Sequence, residues 1–147
     1  MRRIVYQNHF LEEIARLLRE GNSVRFRMKG QSMFPLLREG LDEVLLYPCT
    51  GDDLQPMDVV LFRYQGKHVL HRILRREGEC LYLQGDGSYV AKEKCTITDV
   101  VGKVQKIFRP SGKVITVDDW CWRLLSRSWR GLGVFRNPCL RLLHKFF

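Results

Sequence analysis

The spacing of apolar positions changes period twice along this chain. Between residues 8 and 20, Phe10, Ile14, Leu17 and Leu18 recur at i, i+4, i+7 and i+8. That is one face of a 3.6-residue period and predicts an amphipathic packing helix. Asn8 can cap it, Glu12 and Glu13 suit its positive N-terminal end, and Gly21 can end it. From Val24 the period becomes two. Val24, Phe26 and Met28 alternate with Arg25 and Arg27, as a half-buried strand requires. Further strands are expected at Val44 to Tyr47, Asp58 to Arg63, His68 to Arg75 and Cys80 to Leu83. A last hairpin joins Val100 to Phe108 with Lys113 to Val117 through Pro110-Ser111-Gly112. Short strands at this spacing predict a β-rich domain, all-β or α+β, built on a barrel-like sheet.

After Val117 the helical period returns. Trp122, Leu125 and Trp129 fall on one side, opposite Arg123, Ser126, Arg127 and Arg130. Gly131 and Gly133 break that helix, and Asn137-Pro138 can open another whose apolar side is Leu140, Leu143 and Phe147. The chain therefore divides into a β domain with its leading helix over residues 1–117 and a basic, Trp-rich helical tail over residues 118–147.

Charge sharpens this picture. The 147 residues suffice for one domain with a proper core, and the formal net charge is +9. Such an excess favours an acidic partner: nucleic acid, anionic lipid or an acidic peptide. In the tail, six basic residues stand against Asp118 and Asp119. Basic, Trp-bearing and amphipathic is the composition of a helix lying on an anionic membrane surface. The same pattern fits a helix pair packed on the β domain with its basic face in water. Nucleic acid is not an expected partner, because no second helix before residue 24 completes a helix-turn-helix reader.

The five cysteines show no Cys-x-x-Cys spacing, so neither a zinc site nor a disulfide framework is expected, and a reducing cytoplasm suits them. The apolar run after Met1-Arg2-Arg3 stops at Gln7, too early for a signal peptide. No window approaches the ~18 apolar residues of a spanning helix. The expected location is cytoplasmic, with the tail able to hold the protein at the inner face of a membrane. No phosphate loop and no paired ligand residues call for a cofactor or metal.

The candidate chemistry centres on Gly30-Gln31-Ser32-Met33-Phe34-Pro35. It follows a strand and precedes the turn-like Arg38-Glu39-Gly40, so the backbone bends there. Gly30 admits unusual dihedrals and Pro35 fixes the chain, which suits a hydroxyl presented in a groove. A serine hydroxyl needs a neighbouring base to attack at neutral pH. His71, in Val69-Leu70-His71-Arg72-Ile73, can serve. Strand alternation puts His71 on the face of Val69 and Ile73, with His68 and Arg72 on the other.

These stretches, with Met57-Asp58-Val59-Val60 and Gln84-Gly85-Asp86-Gly87, resemble the S24/S26 serine peptidases, the superfamily of signal peptidases and self-cleaving repressors. The family's nucleophile lies in a Ser-Met-x-Pro box, and its base precedes an arginine. Most bacterial members have Lys as that base; His71 resembles the His-type signal peptidases. The resemblance spans roughly residues 24 to 108. It implies a peptidase with Ser32 as nucleophile and His71 as base. Asp86 is implied as the carboxylate that orients the imidazole, although Gly-Asp-Gly is also a good tight turn. Asp58 competes for that role but reads better as a turn carboxylate. Gly30, Gln31, Met33, Phe34 and Pro35 would line the substrate groove. The Ser32 N–H would be the first oxyanion donor, with backbone or Gln31 as the second. The substrate would be a peptide or protein, bound as an added strand with small side chains at the cleavage point. Two other functions remain open at this level: a non-catalytic peptide- or membrane-binding module, and a DNA-linked regulator.

Overall fold

The structure is a computed structural model that describes residues 7–88 and 92–146. The leading helix α1 spans Gln7–Arg19. It ends as its sequence predicts: Gly21 takes φ +92°, and the N–H groups of Gly21 and Asn22 reach back to the carbonyls of Leu18 and Leu17. Met1 to Tyr6, including the basic start, lie outside the described residues.

Among the described residues eight strands follow: β1 (Val24–Arg27), β2 (Glu43–Pro48), β3 (Val59–Tyr64), β4 (Lys67–Glu77), β5 (Cys80–Gln84), β6 (Glu93–Thr96), β7 (Val100–Phe108) and β8 (Val114–Thr116). They form a single antiparallel sheet in the order β1-β2-β7-β3-β4-β5-β6, with β8 paired to the end of β7. Register shifts at Leu45/Leu46, Leu61/Phe62 and Ile73/Arg75 bend it. The β-rich expectation holds, and seven strands match those read from alternation. β6 was not expected, because Glu93-Lys94-Cys95-Thr96 is poor in strand-forming residues. It exists because β5 offers it an edge, Leu81 pairing with Cys95 and Leu83 with Glu93.

Alternation along the strands sends apolar side chains to both faces of the sheet. Leu61 and Leu70 join Phe26, Val44, Leu46, Val104 and Ile107 in one core, closed by Ile14, Ala15 and Leu18 of α1. Val60, Phe62, Ile73, Leu81, Leu83 and Cys95 form a second core on the other side.

The tail folds as α2 (Trp120–Gly131) and α3 (Arg136–Phe146). Trp122, Trp129 and Leu140 are buried in the α1-side core. Helices this short are marginal alone, so these contacts hold them, each large apolar side chain contributing about 1.5–3 kcal/mol. The expected apolar face is corrected at two positions: Leu125 is exposed and Ser126 is buried. Trp122, Ser126 and Trp129 sit at i, i+4 and i+7, so the packed face is rotated toward the serine. Phe147 lies outside the described residues. No helix of the described residues is long and apolar enough to cross a membrane.

Candidate functional site

Ser32 lies in an irregular turn between β1 and β2, and it is exposed. The turn is anchored on both sides of the serine. Gly30 adopts φ +77° and donates its N–H to Glu39 Oε2 at 3.0 Å. Met33, Phe34, Leu36 and Leu37 are buried in the α1-side core. The Phe34–Pro35 peptide is cis. Beyond it, buried Asp42 accepts bonds from the Arg38 N–H at 2.8 Å and from Arg109 Nη1 at 2.7 Å, and Arg109 also donates to the Leu36 carbonyl. The apolar residues of the box therefore act as roots that hold Ser32 outward. This corrects the groove-lining role expected of Met33 and Phe34: Met33 is fully enclosed, and Phe34 stacks on His144 of α3 with ring centroids 4.5 Å apart. Pro35 flanks a hollow with Arg38 and Leu143, away from Ser32, while Gln31 is exposed beside the serine. Among the described residues, neither the Ser32 hydroxyl nor its N–H has a hydrogen-bond partner.

His71 comes to this turn through the segment after β5. A Cβ built on Gly85 would strike the Ser32 carbonyl oxygen and stand 3.0 Å from His71 Nε2. A Cβ on Gly87 would strike the Gln31 carbonyl, and the Gly87 N–H donates to the Ser32 carbonyl at 2.8 Å. Only glycines let the two segments meet this closely. His71 Nε2 thus faces the Ser32 backbone across Gly85, with no partner of its own among the described residues. No hydrogen bond joins it to the Ser32 hydroxyl. The imidazole is buried, and its Nδ1 lies 2.7 Å from Glu93 Oε1. A carboxylate can only accept, so Nδ1 carries the proton and Nε2 is left as the basic nitrogen.

Asp86, the expected third member, is not on the imidazole. Its carboxylate is 0% exposed and held by Arg72, Nε to Oδ1 at 2.9 Å and Nη2 to Oδ2 at 2.7 Å, with Arg130 Nη1 at 3.4 Å from Oδ1. Its carbonyl accepts from Trp129 Nε1 at 2.9 Å and Arg136 Nη1 at 3.0 Å. Strand alternation explains this: Arg72, next after His71, faces the tail, and Asp86 closes that charge. Arg72 is therefore a wholly buried ion-pair partner that also donates to the Met57 carbonyl. Burial and then the charge of Arg136 pull the Arg130 guanidinium down to about 10, against the pull of Asp86. Asp58 is the turn carboxylate expected of it, accepting the Gln55 N–H at 3.0 Å; burial raises its pKa.

Glu93 was missed in the sequence because it sits between Lys92 and Lys94 in a run that reads as solvated. The available signal was alternation, since Glu93 and Cys95 point inward while Lys94 and Thr96 point out.

Two strand edges flank the serine. Among the described residues, β1 pairs only with β2. β4 meets β5 only from Arg72 onward, so residues 67–71 keep one edge open among the described residues. Phe26 and Met28 of the β1 side face Val69 and Leu70 of β4 across a hollow that Ser32 adjoins. No protein-family model matches the chain, and no curated protein matches it.

Proposed function

We propose that the chain is a serine peptidase of the signal-peptidase kind, cutting a leader- or signal-type peptide or itself. The S24/S26-like catalytic domain belongs to this proposal. The observation that carries it is the polarised imidazole: Nδ1 is bound by Glu93, and Nε2 is free toward the Ser32 turn. In this reading Nε2 takes the Ser32 hydroxyl proton as Oγ attacks the substrate carbonyl. The Ser32 N–H stabilises the resulting oxyanion. The imidazolium then protonates the leaving amine, and water, deprotonated by the same nitrogen, hydrolyses the acyl-enzyme. The open edges of β1 and β4 hold the substrate as an added strand.

Incubating the protein with a pool of random decapeptides, and weighing both peptides and protein, tests this directly. Ser32→Ala and His71→Ala should each lose more than ~10³-fold in turnover, while Ser32→Ala unfolds within ~0.5 kcal/mol of wild type because its side chain is exposed. Wild-type turnover by Ser32→Ala would overturn the mechanism. Capture of peptides with no cut in any sample would make the chain a binding module instead.

The tail's expected contact with an anionic membrane falls, in this reading, to residues left outside the core. Trp120 is 72% exposed, and Leu124 and Leu125 are exposed on the same helix as Arg123 and Arg127. Co-sedimentation with vesicles should increase with anionic lipid and fall with salt. Sedimentation independent of lipid charge would remove the membrane from the picture.

A further inference from the structure

Away from the Ser32 turn, a polar cleft of about 190 Å³ lies where the tail meets the sheet. Gln55 to Asp58 form one wall, β7 supplies Lys103 and Gln105, and α2 supplies Arg123, Ser126 and Arg127. Ser32, His71 and Glu93 are not among its walls. A hydroxyl sets this cleft apart. Ser126 is 1% exposed, and its Oγ has no hydrogen-bond partner among the described residues. A helical serine can turn its hydroxyl back to the carbonyl four residues earlier; here no such bond forms. Buried polar groups are nearly always satisfied, so this exception asks for a reason.

The charges around the cleft come in pairs, with one remainder. Lys103 Nζ lies 3.5 Å from Asp58 Oδ2 and donates to the Asp53 carbonyl at 2.8 Å. Arg123 Nη2 lies 3.3 Å from Asp118 Oδ1. Arg72, which also borders the cleft, is taken up by Asp86 and the Met57 carbonyl. Arg127 is exposed and has no partner among the described residues, and the side chain of half-buried Gln105 has none either. One guanidinium, one amide and one hydroxyl are thus left to donate, from two elements, with one net positive charge. The facing wall is fixed. Met57 holds φ +82°, rare for so bulky a residue. Its N–H donates to the Ile73 carbonyl at 2.8 Å, and its own carbonyl accepts from Arg72 Nη1 at 2.8 Å.

This donor set suits an oxyanion. A planar carboxylate has two oxygens, which one arginine fork can fill. A phosphate group spreads its oxygens over a tetrahedron and can accept from guanidinium, amide and hydroxyl together. The cleft is several times a water's ~30 Å³ share of the liquid, so it has room for a phosphate and part of its ester substituent. We infer that the cleft binds a phosphate group, with Arg127 as its charge partner and Gln105 and Ser126 as neutral donors. Two sources carry that chemistry: a soluble phosphate compound and a phospholipid headgroup. A headgroup is within reach because Trp120 and Leu124, both exposed, share a helix stripe with Arg127 at i, i+4 and i+7. No residue of the proposed catalytic set takes part, so failure of the peptidase reading leaves this site untouched.

Calorimetric titration of the full chain with inorganic phosphate at low salt reads the site first. Wild type should bind. Arg127→Ala and Ser126→Ala should each weaken binding about tenfold, as expected for losing one hydrogen bond to a charged group. Ser126→Ala should melt no lower than wild type, because it removes a hydroxyl that the fold leaves unsatisfied. Gln105→Leu gives an independent check from β7, with a loss in the same direction. Arg141→Ala, which removes an exposed charge of α3 outside the cleft, should leave the affinity unchanged. A second arm sediments the same proteins with phosphatidylcholine vesicles containing phosphatidylglycerol. Loss of both phosphate and vesicle binding in Ser126→Ala would uphold the site with lipid as the source. Loss of phosphate binding alone would uphold it with a soluble phosphate compound as the source. An absence of phosphate binding by wild type, or binding that Arg127→Ala, Ser126→Ala and Gln105→Leu all leave intact, would overturn the inference. An equal loss in Arg141→Ala would also overturn it, by reducing the effect to diffuse positive charge.

Discussion

His71 and Arg72 are neighbours on β4, and each meets a buried carboxylate, yet the two pairs are built for different ends. Arg72 and Asp86 are both 0% exposed. Their bonds use both carboxylate oxygens, and Arg130, Arg136 and Trp129 converge on the same residue. Nothing about that pair is left to react. His71 and Glu93 are each 8% exposed and share one bond. The second imidazole nitrogen is left over among the described residues, and it lies toward the exposed Ser32 turn. The comparison teaches that burial of a charged pair does not by itself mark a functional site. What marks it is a group held firmly on one side and unsatisfied on the other.

The largest effect should come from breaking the partly satisfied pair. Glu93→Gln can present an amide N–H to Nδ1 and so favour the wrong tautomer. Turnover should fall by up to ~10⁴-fold while the melting temperature changes little. Turnover within threefold of wild type would show that Glu93 is only a structural partner. Asp86→Asn should do the opposite. It leaves Arg72 buried without its counter-charge, with Arg130 and Arg136 close by, and should cost about 3–5 kcal/mol, read by denaturant unfolding. Activity per folded molecule should survive. Near-wild-type stability in Asp86→Asn would mean that the arginines find water, and that the tail is looser than its packing implies.

The smallest effect sharpens the same contrast through thiol chemistry. Cys95 shares β6 with Glu93, and burial above all, with Asp99 nearby, pushes its thiol up to about 12. Burial likewise pushes Cys49 up to about 11, against the pull of Lys103. Cys121, on α2, is exposed. Only thiolates alkylate, so iodoacetamide at neutral pH should label Cys121 well before Cys49 or Cys95. Glu93→Gln should keep that order. Asp86→Asn should bring Cys95 labelling forward, because the destabilised protein opens more often. Equal labelling of Cys95 and Cys121 in wild type would contradict the buried setting of β6.

The local signals in this chain were strong where neighbours in sequence are also neighbours in space. The Ser32 turn follows from Gly30 and Pro35, whose dihedral limits act on adjacent residues. The facing of His71 follows from a two-residue period along one strand, and the end of α1 follows from Gly21. The partners of these groups were not legible. Glu93 reaches His71 only because a charged segment finds the edge of β5, and that pairing depends on backbone hydrogen bonds available to almost any sequence. Asp86 was drawn away from His71 by Arg72, Trp129 and Arg136, which converge from three elements. The tail shows the same limit: its composition suited both lipid and protein, and the helical period placed Ser126 on the wrong side. A polarity pattern states how much apolar surface a helix must cover and leaves open what covers it. The space left on the α1-side core settled that for Trp122, Trp129 and Leu140, because close packing admits few arrangements and depends on volumes brought together from distant parts of the chain.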